Sequence, residues 1–154
     1  MLVGTAAAWK GCEAFNWIGG ASGGNINYRF AQTGRTERNR QNHLYPEAVF
    51  PFAYPVLTDH LSGRTEGRGR RCAASKTCPK AFEVNSANEY WVKASSLLHT
   101  DTNGNDLPDP PNVRFYLLSG LQHATGNNNS RGICQQFTNG TNAEPVLRAL
   151  LVAL

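Results

Sequence analysis

The chain has 154 residues, of which 40% are hydrophobic and 17% are charged, a balance that fits one globular unit and excludes a disordered, coiled-coil or collagen-like chain. No run approaches the roughly 18 apolar residues of a membrane span. Much of the net charge of +4 lies in two arginine clusters, residues 35–40 and 64–71, which have no interleaved aromatics. The composition therefore predicts neither a membrane partner nor a nucleic-acid partner.

The first predicted element is a strand at residues 14–18, followed by a loop rich in glycine and asparagine at residues 19–27. Repeated prolines then make residues 45–55 irregular, because proline disfavours both central strands and long helices. The basic stretch after this segment contains glycines and is predicted to be a solvated loop.

The second half of the chain alternates strand and helix. A strand is predicted at residues 80–85 and a helix at residues 87–99, and a turn-rich loop at residues 101–112 leads to a third strand at residues 113–118. Strand, helix, loop and strand make a βαβ unit, whose two strands are expected to pair in parallel. We therefore predict an α/β fold with a mostly parallel sheet.

The two ends of the chain predict a fragment. Residues 1–15 have no basic region ahead of their short apolar stretch, so no signal peptide is predicted there. Residues 144–154 open like a helix, with Pro145 in the first turn, but the chain stops before any helix-ending residue. We expect residues 1–154 to form a single, incomplete domain that is truncated at both ends.

The four cysteines include one close pair, Cys72 and Cys78, in a segment that resembles a loop. A local disulfide and two free thiols both fit this spacing, and a disulfide would point to a secreted or periplasmic protein. The spacing is not that of a zinc knuckle, and neither Cys12 nor Cys134 adds a second tight pair. The sequence therefore predicts no metal and no cofactor.

Glu89 and His123 are the candidate catalytic residues, because each follows a predicted strand at its carboxyl end, where open α/β sheets form their ligand crevice. A carboxylate behind a histidine fixes its tautomer and stabilises the imidazolium, as in a catalytic triad. Each residue also has a structural interpretation. Glu89 stands three residues after Ser86, which is the spacing of a helix capping box, and His123 fits a surface loop.

Ser22 is the candidate nucleophile within the chain. It is the centre of GASGG, which matches the G-x-S-x-G pattern, and it precedes Glu89 and His123 in the order serine, acid, histidine of α/β-hydrolases. A nucleophile elbow needs a helix directly after the serine, whereas GGNINYRF contains two glycines and two asparagines. A flexible loop at a strand end is the alternative.

Several segments together resemble the C-terminal part of a large family of poorly characterised α/β-hydrolase domain proteins. They are RFAQ, YPE-x-x-FPFA, R-C-x5-C-P-K, EYW and QH, and the similarity runs from about Phe15 through most of the chain. The resemblance implies that Glu89 of EYW is the triad acid and that His123 of QH is the base. It also implies that the serine elbow lies upstream of Met1, which would make Ser22 a loop residue.

The leading hypothesis is therefore the C-terminal portion of a serine hydrolase that acts on a small carboxylic ester. Such a portion supplies Glu89 and His123 of a Ser-His-Glu triad and is inactive without the upstream serine. The alternative is a non-catalytic remnant or binding module with the same fold.

Overall fold

A three-stranded parallel sheet organises the part of the chain that the computed structural model describes, residues 13–21, 50–123 and 129–154. The strands are β1 (Glu13–Trp17), β2 (Leu57–Thr58), β3 (Thr65–Glu66), β4 (Lys80–Ser86) and β5 (Val113–Leu118), and the α-helices are α1 (Arg70–Ser75), α2 (Ala87–Val92) and α3 (Glu144–Ala153). A short 3-10 helix, Ser95–Leu98, follows α2.

β4 lies between β1 and β5 and is parallel to both. Five of its seven residues are buried, as is typical of a central parallel strand that is covered on both faces. Val84 and Ala81 of β4 and Val113 of β5 form the apolar centre of the sheet. The three strands and their parallel pairing confirm the predicted α/β character.

Described parts of both connections between the parallel strands lie on the same face of the sheet. Residue Phe115 of β5 lies on this face, opposite Glu83 of β4 in the register. The Tyr54 ring, from the connection before β4, and the His99 ring, from the connection after it, contact Phe115 with centroids 6.1 and 4.6 Å away. Successive parallel crossovers of one hand place their connections in this way when the strands are neighbours in order.

The helix predicted at residues 87–99 is wrong in its length. α2 ends at Val92, and a 3-10 helix starts at Ser95. Between them Ala94 has a φ of +55°, a left-handed conformation that ends an α-helix. The Lys93 carbonyl accepts a hydrogen bond from the backbone N–H of Ala21. A tertiary hydrogen bond from the loop after β1 therefore occupies the Lys93 carbonyl at the point where the helix stops.

The basic stretch predicted as a loop is also more structured than expected. It contains β3, which pairs with β2 in an antiparallel hairpin, and the start of α1. The predicted C-terminal helix is present as α3, with Pro145 in its first turn, and none of its residues is buried. No described helix has the length and apolar character to cross a membrane.

Candidate active site

The structure brings Glu89 and His123 into direct contact. Glu89 Oε1 lies 2.5 Å from His123 Nδ1, although the two residues are 34 positions apart. The sheet explains this contact, because the last residues of β4 and β5, Ser86 and Leu118, are partners in the parallel register. Glu89 follows the first of these strand ends by three residues and His123 follows the second by five, so both lie at the carboxyl edge of the sheet.

Ser86 and Glu89 form a capping box at the start of α2. The Ser86 hydroxyl accepts the backbone N–H of Asn88 at 3.2 Å and donates to Glu89 Oε2. The same carboxylate oxygen accepts the backbone N–H of Ser86 at 3.1 Å. The capping and catalytic interpretations of Glu89 are therefore compatible, because Oε2 caps the helix while Oε1 faces the histidine.

The Glu89 carboxylate is fully buried, whereas the His123 side chain is 58% exposed. Burial by itself raises the pKa of Glu89, but the hydrogen bonds from Ser86, His123 and Asn88 together outweigh it and hold this pKa below its ordinary value. An ionised carboxylate beside Nδ1 favours the tautomer that carries its proton on this nitrogen, and it orients the ring. The exposed position of the ring leaves it accessible to a reacting group.

A turn after β5 places His123. Gly120 has a φ of +76°, a conformation that glycine adopts without steric cost, and the Leu121 N–H contacts the Leu118 carbonyl at 3.4 Å. From the segment before α3, the Asn139 side chain donates to the Gly120 carbonyl at 2.7 Å. The turn is thus tied to a later part of the chain as well as to its own strand.

The loop after β1 is fastened to the same edge of the sheet. Gly20 N–H donates to the Asn85 Oδ1 atom at 2.9 Å, and Ala21 N–H donates to the Lys93 carbonyl at 3.0 Å. Gly20 has a φ of +60°, and a Cβ there would lie 2.6 Å from the Lys93 carbonyl oxygen. Ser22, the candidate nucleophile within the chain, follows Ala21 directly and lies outside the described residues.

Sequence reasoning missed a buried polar cluster around Glu83 in the middle of β4. Its Oε1 atom accepts the Asn16 side-chain amide at 2.9 Å and the Tyr54 hydroxyl, and Arg68 lies 3.6 Å from it. The available signal was a single glutamate inside the apolar run AFEV, since a buried carboxylate needs partners. This cluster joins the connection before β4 to the sheet.

Burial and the negative charge of Glu83 raise the pKa of Tyr54 well above its ordinary value, and Arg68 opposes them only in part. The phenol therefore keeps its proton and remains a hydrogen-bond donor to Glu83. Its role in this structure is to hold the connection in place.

The remaining cysteines and histidines among the described residues lie apart from the Glu89–His123 contact. Cys72 and Cys78 form a disulfide, and Cys134 is free and exposed. His99 packs on Phe115 as a half-buried residue, and His60 is exposed beside the β2–β3 turn. Within residues 13–21, 50–123 and 129–154, no group of three or more potential ligand residues could hold a metal ion.

Comparison with known proteins adds no relative: no family model, no curated protein and no solved structure matches this chain.

Proposed function

We propose that this chain is the C-terminal part of an α/β-hydrolase fold and that it supplies the acid and base of a serine hydrolase acting on small carboxylic esters. The observation that carries the proposal is the contact between Glu89 Oε1 and His123 Nδ1 at the carboxyl ends of adjacent parallel strands. An acid and an imidazole in contact at this edge are what an acyl-transfer triad requires.

The chemistry follows from the two ends of the imidazole. Glu89 holds Nδ1, so Nε2 is the nitrogen that would take the proton of the serine as the serine attacks the ester carbonyl. His123 would then return this proton to the leaving alcohol, and water would release the acyl group by the same steps. The developing oxyanion needs backbone donors beside the serine, which belong to the part of the fold that holds the nucleophile.

A serine on an elbow upstream of Met1 is the proposed nucleophile. Such an elbow follows an earlier strand of the same sheet, and β1 fits as a neighbour of that strand because, among the described residues, it pairs only with β4. Ser22 is the alternative within the chain, since the loop before it is fastened beside α2. Both positions keep the order serine, acid, histidine.

The test is made on the gene product extended upstream in frame. We expect the extended protein to react with a fluorophosphonate probe, which modifies activated serines, and to hydrolyse short-chain nitrophenyl esters. His123→Ala should lower kcat/KM by at least about 10³-fold, and Glu89→Gln should lower it strongly too. His60→Ala is the control, because His60 is an exposed histidine outside this contact.

Two results would replace this proposal by a non-catalytic remnant or binding module. One is an in-frame stop codon just upstream of Met1 together with no probe labelling of the chain. The other is labelling of the extended protein that His123→Ala and the elbow serine variant leave unchanged. Labelling that Ser22→Ala removes would assign Ser22 as the nucleophile.

The disulfide bears on the compartment. Disulfides such as Cys72–Cys78 persist in oxidising environments, so we propose a secreted or periplasmic location for the native protein. Mass spectrometry of the protein isolated from its source under thiol-trapping conditions would test this, since two trapped thiols at these positions would contradict it.

A further inference from the structure

A small, partly open cavity of about 90 Å³, lined by both polar and apolar residues, lies beneath α2, apart from the contact between Glu89 and His123. Its walls are the face of β4 and β5 that carries Glu83 and Phe115, the second half of α2, and the 3-10 helix that follows. Phe115, Tyr116 and Leu117 form its β5 wall. Its polar lining residues are Glu83, Asn85, Tyr90, Ser95 and His99.

Two of these residues have a buried polar atom without a partner. Among the described residues, Glu83 Oε2 and Ser95 Oγ are the buried side-chain atoms that make no hydrogen bond. Each residue is only 1% exposed, so bulk water does not satisfy these atoms. An unsatisfied buried polar atom is costly, and two of them at one cavity point to an occupant that the protein atoms do not supply.

The neighbouring oxygen of Glu83 shows the contrast. Oε1 accepts from Asn16 and Tyr54 and has Arg68 nearby, whereas Oε2 accepts from no described residue. The occupant must therefore donate a hydrogen bond to a carboxylate oxygen and also bond to a hydroxyl group. Water does both.

We propose that this cavity is a binding site for ordered water that bridges Glu83 Oε2 and Ser95 Oγ. A buried water needs two to four polar partners and little space, both of which the lining offers. A calcium ion would need about six or more oxygen ligands, whereas five of the eight residues that line the cavity are aromatic or aliphatic. The bridging water would link the middle of β4 to the 3-10 helix. It would thereby fix the position of α2, which carries Glu89 in its first turn.

This inference is independent of the hydrolase proposal. The direction in which Ser95→Ala changes the equilibrium constant for unfolding tests it. If Ser95 Oγ had no partner, Ser95→Ala would remove an unsatisfied group and would leave the unfolding equilibrium constant unchanged or lower. If water bridges it, the same change removes a hydrogen bond, and the constant should rise about fivefold or more. Urea unfolding of the 154-residue chain gives this constant.

Ser96→Ala is the matched control, because Ser96 belongs to the same 3-10 helix and does not line the cavity. A crystal structure should show a peak within hydrogen-bond distance of both Glu83 Oε2 and Ser95 Oγ, and the peak should shift or disappear in Ser95→Ala. An effect of Ser95→Ala no larger than that of Ser96→Ala would overturn the proposal. So would an empty cavity, or a peak with the short, numerous oxygen contacts of a metal ion.

Discussion

Glu89 binds His123 with one carboxylate oxygen and caps its own helix with the other. The oxygen that faces His123 Nδ1 lies 2.5 Å from it, and the second oxygen accepts from the backbone N–H and the hydroxyl of Ser86. Glu89, the acid of the proposed triad, is therefore held in place by the start of α2, the helix that it caps. Substitutions at Glu89 should consequently affect folding stability and the setting of the histidine together.

The first prediction concerns this double role. Glu89→Ala removes the acceptor for the Ser86 N–H and hydroxyl and leaves these groups buried, so it should lower the free energy of unfolding by about 2 kcal/mol. Glu144→Ala is the control, because Glu144 is also a first-turn glutamate but forms an exposed pair with Arg148 in α3. It should change the stability by less than about 0.5 kcal/mol. Equal effects in urea unfolding would contradict the capping role.

The second prediction is the pH dependence of the same contact. The pKa of Glu89 is lower in the folded chain than its ordinary value of 4.5, so the ionised form is favoured by folding. The resulting stability is fully present above pH 4.5 and is lost as the pH falls through the folded-state pKa. The stability difference between the native chain and Glu89→Gln should therefore shrink as the pH falls below 4.5. A difference that grows in acid would refute this assignment.

The third prediction tests the cluster around Glu83. Tyr54→Phe removes a hydroxyl that donates to a buried carboxylate and should lower the free energy of unfolding by about 1.5 kcal/mol. Because the pKa of Tyr54 is raised above 10, its stabilisation is present below pH 10 and is lost as the pH rises towards the folded-state pKa. Tyr116→Phe is the control, since the Tyr116 ring packs on Phe82 and no described residue bonds to its hydroxyl. Equal losses in the two variants would argue against the cluster.

The fourth prediction separates two costs of replacing a glycine, the strain of a positive φ and the steric clash of the added Cβ. Gly20 and Gly63 both have positive φ angles, +60° and +68°, but a Cβ would meet Lys93 at Gly20 and nothing within 4 Å at Gly63. Gly63→Ala should cost about 1 kcal/mol from conformation alone. Gly20→Ala should cost at least about 2 kcal/mol more, because Lys93 and the hydrogen bond to Asn85 must shift. Thermal or urea unfolding measures both, and similar costs would mean that the loop after β1 is not fastened to α2.

The fifth prediction concerns the disulfide. The Cys72–Cys78 bridge closes a short loop with a sequence separation of six, which corresponds to about 2 kcal/mol in the chain-entropy account. The double variant Cys72→Ser/Cys78→Ser should lose about this much stability, and reduction of the native chain should reproduce the loss. Cys134→Ser should leave the stability unchanged, because Cys134 is free and exposed. Insensitivity of the native chain to reductant would show that the bridge does not form in solution.

Local patterns in the sequence determined the elements around the site. The apolar runs before Ser86 and before Ser119 predicted β4 and β5, and the spacing of Ser86 and Glu89 predicted the cap of α2, because each depends on residues within one or two turns of chain. The α/β character with parallel pairing followed from the order of these elements. The resemblance to α/β-hydrolases stays a prediction, as does the catalytic role of Glu89 and His123.

Tertiary structure decided what lies between distant segments. The contact of Glu89 with His123 exists because β4 and β5 pair in a register that places their ends side by side. The chain reaches β5 through α2, the 3-10 helix and a loop, so no hairpin turn fixes this register locally. The early end of α2 depends on Ala21, which approaches Lys93 from another part of the chain. The partners of Glu83 likewise come from β1 and from the connection before β4. A buried carboxylate signals in the sequence that it needs partners, but only the packed chain determines which residues they are.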